Sequence, residues 1–145
     1  MSKASNYLEN KLTDHLFRGV SFTAPTGLYI ALHSGDPTDL GTGTEISGGG
    51  YARVLVVPST GNWSGTQGAT TTAISTGTGG ASSNNATITF PSPTGDWGVC
   101  SYFGIWDLNT GGNLIVYGDL GTPKTINNGD AAPSFAISAL TITIA

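Results

Sequence analysis

The side chains that could do acid–base or metal chemistry are few and scattered along this sequence. Asp36, Asp39 and Glu45 are the densest group, on a glycine-rich stretch between residues 35 and 50. Carboxylate oxygens on a flexible loop are ligands that Ca²⁺ accepts, so a calcium site is one interpretation. Their spacing does not follow an EF-hand loop, which favours a solvated loop instead. If the protein were an enzyme, these carboxylates would be the place to look for its active site.

The other reactive residue types lack the partners that catalysis requires. His15 and His33 are the two histidines, and neither has the Cys, His or carboxylate neighbours that a zinc site uses. We predict that His15 lies on a helix surface. Cys100 lies inside an apolar stretch, where we expect a buried and inert thiol. The sequence has no Gly-x-Ser-x-Gly motif. It therefore predicts a protein that is not an enzyme, with no catalytic, cofactor-binding or metal-binding residues.

The distribution of charge indicates a neutral, structural surface. Charged residues make up 10% of the chain, against about 25% in an average globular domain. From Val54 to Gly95 no side chain is ionisable. The net charge is −4, and beyond residue 18 the only cationic residues are Arg53 and Lys124, which argues against a nucleic-acid partner. No apolar run is long enough to span a bilayer, so we expect no membrane partner. The polar N-terminus and lone cysteine predict synthesis in a reducing cytoplasm.

One amphipathic helix is predicted at the N-terminus, over residues 5–18. Ser5 is suited to the N-cap position, and Gly19 stands where a helix-ending glycine belongs. Apolar side chains recur at helical spacing and form one stripe, which consists of Leu8, Leu12, Leu16 and Phe17. We predict that this stripe, together with Arg18, docks a partner protein.

After residue 23 the pattern becomes that of short β-strands separated by turns. In Gly27–His33 apolar residues alternate, as expected for a half-buried strand. Further strands are predicted at Tyr51–Val57, Ala86–Phe90, Trp97–Leu108, Asn113–Gly118, Phe135–Ile137 and Leu140–Ile144. The predicted fold class is mainly β: a β-sandwich or jelly-roll-like body over residues 24–145 with one short N-terminal helix, in a single domain of residues 1–145.

The strand predicted at Trp97–Leu108 carries large apolar groups on both faces, so we expect it to lie in the centre of a sheet. Its alternation predicts Phe103 and Ile105 on one face and Cys100 on the other. Trp97 and Trp106 are expected in the core.

Two glycine-rich segments do not fit this pattern. Ser59–Asn85 is rich in Gly, Ser and Thr, and it reads as an extended loop or a surface β-hairpin. Within it, Trp63 is the aromatic residue that we expect to be exposed and free to make contacts. Gly48–Gly50 is not a phosphate-binding loop, because the Lys-Ser/Thr that should follow it is missing. We predict a hinge there, or a close approach of two backbones.

Several ordered blocks resemble a family of small virion structural proteins of tailed bacteriophages. These blocks are Tyr7–Leu12, Asp14-His15, Arg18-Gly19, Ser47–Arg53, Trp97-Gly98, Phe103–Ile105, Gly111–Leu114, Thr122–Asn127 and Ala139–Thr143. Members are commonly labelled phage structural or tail-fibre-like proteins. The resemblance spans Tyr7–Thr143 and implies a place in the virion after synthesis in the host bacterium. Ser59–Asn85 is longer and richer in Thr and Gly than the family pattern, so we interpret it as an insertion.

The resemblance implies two functions. The first is a capsid decoration (cement) protein, in which homotrimers bind the major capsid protein and stabilise the head. The alternative is a tail-fibre or baseplate component that binds tail proteins, in which Trp63 and the segment 59–85 contact host surface glycans. Both are structural roles, and both require contacts between copies of the chain.

Overall fold

The computed structural model describes residues 1–144, which contain one helix and nine strands. The helix is α1 (Asn6–Phe17), and the strands are β1 (Ser2–Ala4), β2 (Leu28–His33), β3 (Val54–Val56), β4 (Ala81–Ser83), β5 (Ile88–Thr89), β6 (Gly98–Trp106), β7 (Leu114–Ile126), β8 (Ser134–Phe135) and β9 (Thr141–Thr143). Five strands form an antiparallel sheet in the order β1-β7-β6-β2-β3, while β4 pairs with β9 and β5 with β8. The predicted class, mainly β with one short N-terminal helix, is confirmed.

Helix α1 has the ends that its sequence predicts. The Ser5 side chain accepts a hydrogen bond from the Leu8 N–H at 3.2 Å, as an N-cap should. Gly19 has a φ of +70°, a left-handed conformation that glycine adopts without strain. The Ser5 N–H also donates to the Ile115 carbonyl at 3.0 Å. The start of the helix is therefore fixed to strand β7.

The five-stranded sheet buries apolar side chains on both faces. On the first face Ile30 and Leu32 belong to the main core, which is covered by α1 and by the two small ladders. On the second face Ala31 packs with Trp106. The loop over residues 34–50 lies against this second face so closely that a methyl group at Gly41 would be 2.9 Å from the Trp106 ring. The alternation of faces predicted for β2 is confirmed, but the prediction of a half-buried strand is wrong, because both faces are covered.

Strand β6 lies in the centre of the sheet as predicted, but the predicted face of Cys100 is wrong. Cys100 belongs to the same core as Phe103 and Ile105. The register with β7 shifts between Cys100 and Tyr102: their partners on β7, Lys124 and Asp119, are five positions apart. The regular pairing is interrupted there, so the faces of β6 before and after this point do not follow one alternation.

Strand β7 is the element whose length differs most from the prediction. It was expected to end at Gly118, yet it continues to Ile126 and pairs there with Gly98 at the start of β6. Pro123 lies in this extension, on an exposed part of the strand. Strand β1 was not predicted, and β4 lies in the segment 59–85 for which a surface β-hairpin was one of two interpretations. Segments of three residues are too short to show a periodic signal.

The glycine- and threonine-rich segment 59–85 is fixed at its base and exposed at its tip. Trp63 pairs with Asn84, and the Ser64 N–H donates to the Ser83 carbonyl at 2.8 Å. Asn84 is fully buried, and its side-chain amide bonds the Ala136 carbonyl at 2.8 Å. Residues 67–80 are almost entirely exposed. The segment therefore combines a hairpin-like base with a projecting loop.

Candidate interaction surfaces

The three acidic residues singled out in the sequence do not meet in space as a ligand set. Asp36 accepts a hydrogen bond from the Thr38 N–H at 2.9 Å and so closes a local turn. Asp39 accepts a hydrogen bond from the Tyr117 hydroxyl group. Glu45 is bound by an arginine. Among residues 1–144 no three His, Cys, Asp or Glu side chains are grouped as a metal site. Each carboxylate instead fixes part of the 34–50 loop.

Glu45 and Arg53 form a mostly buried ion pair with bidentate geometry. Arg53 Nε donates to Glu45 Oε1 at 2.8 Å, and Nη2 donates to Oε2 at 2.7 Å. The second terminal nitrogen, Nη1, donates to the Leu108 and Gly111 carbonyls at 2.8 and 2.9 Å. The guanidinium group lies 4.4 Å from the centre of the Trp106 ring. The Arg53 side chain is only 5% exposed. Its hydrogen bonds join the 34–50 loop to the turn after β6.

The groups around this ion pair hold it in one protonation state. The Tyr51 hydroxyl donates to Glu45 Oε1 at 3.0 Å and accepts from the Leu32 N–H at 3.0 Å. Burial raises the pKa of Glu45, but hydrogen bonds and charge from Arg53 outweigh it, so the pKa lies below its ordinary value. Burial raises the pKa of Tyr51 and lowers that of His33. At neutral pH the cluster is thus one compensated pair beside two neutral rings, which suits a structural clamp.

Sequence reasoning missed this clamp because its members are spread over several segments. The available signal was the charge count, since Arg53 is one of only two cations beyond residue 18. A lone cation beside an apolar strand requires a partner if it is buried. The nearest carboxylate upstream is Glu45. The pairing of these two residues could therefore have been predicted, whereas the contact with Trp106 could not.

The close backbone approach predicted at Gly48–Gly50 is confirmed. All three glycines have positive φ angles. The Gly49 carbonyl accepts hydrogen bonds from the Thr94 N–H at 2.9 Å and from Trp97 Nε1 at 2.8 Å. A methyl group on Gly49 would lie 2.8 Å from the Gly95 carbonyl oxygen. Two loops meet here with no space for a side chain between them.

Cys100 is buried as predicted, and burial raises the pKa of its thiol. Because the thiolate is the reactive form, a raised pKa and lack of access both slow its chemistry. We expect no reaction of Cys100 with a thiol reagent such as dithionitrobenzoate in the folded protein, and one equivalent of reaction after denaturation in urea. Rapid labelling without denaturant would contradict the buried position.

The predicted docking stripe on α1 is divided by the structure. Leu8 is 6% exposed and belongs to the protein's own core, so its assignment to a docking surface is wrong. Leu12 is half-buried and packs against that core.

The C-terminal part of the stripe is exposed instead, with Leu16 67% and Phe17 82% exposed. Arg18 pairs with Asp14 at 3.2 Å on the surface. His15 is exposed, as predicted. The surface open to a partner is thus the C-terminal end of the helix.

Trp63 is half-buried, so the prediction of a free, exposed indole is wrong. It packs against the main core, and its Nε1 atom is buried without a hydrogen-bond partner in the described residues. The ring forms one wall of a groove of about 240 Å³, which we call the apolar groove. The groove is lined by Leu28, Trp63, Ser82, Ile105, Ile115, Val116, Ile142 and Ile144. It lies between the large sheet and the β4-β9 ladder and is open to solvent.

One family comparison matches nearly the whole chain. The model of the family described as podophage GP4 fiber I protein gp80 matches residues 3–143. No curated protein matches the chain. In the described part of the structure, no helix has the length and apolar character needed to cross a membrane. With a mainly β fold, an exposed helix end and a match over residues 3–143, this chain belongs to the podophage fiber I protein gp80 family of virion structural proteins.

Proposed function

We propose that this protein is a non-enzymatic subunit of a phage fibre, which assembles with copies of itself and with another virion protein. The observation that carries the proposal is the family match over residues 3–143, whose description names a fiber protein. A fibre subunit needs a stable body and surfaces that bind other subunits. The fold supplies both, with a core on each face of its large sheet and two exposed apolar features.

The absence of catalysis is part of the proposal and is supported by the ionic cluster. A cleft of about 320 Å³ lies beside Glu45, Tyr51 and Arg53. An arginine, a tyrosine and a glutamate in a cleft could bind a substrate. Here, however, Arg53 donates hydrogen bonds from Nε and both terminal nitrogens to Glu45 and to two backbone carbonyls. The Tyr51 hydroxyl is likewise engaged with Glu45 and the Leu32 N–H. We infer that the cluster stabilises the loops and binds no substrate.

Capsid decoration is the alternative location, and the two hypotheses share a homotrimeric assembly. Three copies fit either a fibre axis or a local threefold point of a capsid, since closed symmetry is the usual state of homo-oligomers. The major capsid protein would be the partner in one case and a tail or fibre protein in the other. The family description favours the fibre. Host glycan contact through Trp63 loses its basis, because the indole is half-buried. The exposed loop 67–80 remains available for such contact.

Labelling of intact phage tests the location. An epitope tag inserted between Gly77 and Thr78 lies in an exposed loop, where insertions are well tolerated. We expect gold-labelled antibodies to mark fibres in electron micrographs, and gel densitometry of virions to give tens of copies or fewer. Label spread over the head, with hundreds of copies per particle, would replace the fibre with capsid decoration. A tagged chain that is soluble but absent from purified particles would overturn both.

A further inference from the structure

Two exposed apolar features of this molecule have no partner within residues 1–144. The first is the end of α1, where Leu16 and Phe17 project into solvent. This end is well held: the Arg18 and Val20 N–H groups both donate to the Asp14 carbonyl at 3.1 Å. An ordered helix end with an exposed phenylalanine is a projecting apolar knob, and burying such a side chain is strongly favourable.

The second feature is the apolar groove, whose size suits one side chain. Its floor is formed by Ile105, Ile115 and Val116 of the central strands. At about 240 Å³ it is smaller than the pockets of about 300–1,000 Å³ that hold drug-sized ligands. Its lining side chains are apolar apart from Ser82. An apolar side chain from a protein is therefore a better fit than a small polar ligand.

Electrostatics also match between the two features. None of the side chains that line the groove is ionisable. Two of the chain segments that contribute to it, 54–95 and 131–144, contain no ionisable side chain at all. Beside the knob, the Arg18 charge is compensated by Asp14 at 3.2 Å. The knob and the groove can thus meet without burying an unpaired charge, which would be costly.

We propose that Phe17 of one copy, flanked by Leu16, inserts into the apolar groove of a neighbouring copy. The inference rests on the proposal that the chain is a self-assembling fibre subunit. No residue of α1 lines the groove, so knob and groove are different surfaces of the chain. Such a contact forms either reciprocally in a twofold dimer or head to tail, and the head-to-tail arrangement closes into a ring such as a trimer when the rotation between copies allows.

Crosslinking between two variants tests the contact directly. Leu16→Cys and Ile144→Cys, which both keep Phe17, are expressed together with tags of different size, and the purified oligomer is treated with a short bis-maleimide. Both positions are exposed, and the native Cys100 is buried in every chain. We expect a product that joins the two tags. The control pair, Leu108→Cys with Ile144→Cys, places the first thiol on another exposed apolar residue and should give none.

The alternative products each overturn the contact. A product joining two Leu16→Cys chains, without the mixed one, means a symmetric helix-to-helix interface. An oligomer that gives no crosslink assembles through another surface, and the fibre proposal then stands without this contact. If the epitope-tagged chain is found only outside the virion, in contrast, the proposed function itself is removed, whatever the crosslinks show.

A second variant gives a quantitative measure. Phe17→Ser should raise the dissociation constant of the oligomer at least about thirtyfold, measured by analytical ultracentrifugation, because it removes a buried aromatic side chain. Phe17 is exposed in the single chain, so circular dichroism should show an unchanged fold. Ile74→Ser is the matched control, since Ile74 is 83% exposed on the 67–80 loop. Equal dissociation constants for the two variants would overturn the proposal.

Discussion

Replacement of Arg53 by Met is expected to lower the free energy of unfolding by about 3–4 kcal/mol. The change leaves Glu45 half-buried without its bidentate partner, and it removes the hydrogen bonds to the Leu108 and Gly111 carbonyls. It also removes the cation from the face of the Trp106 ring. Urea denaturation at pH 7, followed by tryptophan fluorescence, measures the loss.

The other arginine–carboxylate side-chain pair described in the structure is the matched control. Arg18 is exposed and Asp14 is partly exposed, and the two are four residues apart at the end of α1, so Arg18→Met should cost less than about 0.5 kcal/mol. The loss of stability in Arg53→Met should also depend on pH.

The pKa of Glu45 is lowered in the folded protein. The stability that this carboxylate contributes is therefore full above its unfolded pKa, and it is lost as the pH falls through the folded value. The gap between wild type and Arg53→Met should therefore narrow in acid. Equal losses for both arginines would contradict the structural clamp.

Replacement of Gly49 by Ala is expected to lower the free energy of unfolding by about 3 kcal/mol. Two causes contribute, because alanine is strained in a left-handed backbone conformation and because its methyl group overpacks the contact. Gly49 has a φ of +55°, and its new methyl group would lie 2.8 Å from the Gly95 carbonyl oxygen. Relief of this contact would separate two loops and strain the bond from Trp97 Nε1 to the Gly49 carbonyl. Thermal unfolding measures the change.

The neighbouring glycine separates the two causes. Gly48 has a φ of +74°, but a methyl group there would meet no atom within 4 Å. Gly48→Ala should therefore show the backbone cost alone, about 1 kcal/mol. If the two variants were equally stable, the close approach of the loops at Gly49 would carry no energy of its own.

Features set by neighbours along the chain were predictable. The N-cap at Ser5 and the glycine at position 19 depend on backbone geometry within one helical turn, so α1 is predicted almost to the residue. The alternation in β2 and the central place of β6 follow from apolar residues on both faces. The run of glycines at Gly48–Gly50 likewise predicts a close approach of backbones, although it does not show that the other backbone is that of Gly95.

Features set by distant partners were not predictable. The face of Cys100 is set where the register between β6 and β7 shifts, which local alternation in β6 does not record. The apolar stripe of α1 shows which side of the helix avoids water. It does not show that the sheet covers Leu8 and leaves Phe17 uncovered. Trp63 was predicted as exposed from the polarity of its neighbours, yet the β4-β9 ladder and the sheet enclose it on one side.

The segment from Val54 to Gly95 has a consequence for a particle that leaves its host. On lysis a virion passes from the salt of a cell into water of any ionic strength, and the Debye length can change from about 10 Å to several times that value. Contacts between like-charged subunits would weaken under such dilution. A contact built from Phe17 and a groove without ionisable groups contains no charge pair that salt can screen. Such a contact would keep its own stabilisation both inside the bacterium and in fresh water, while the net charge of −4 on each chain adds a repulsion that grows as salt is diluted.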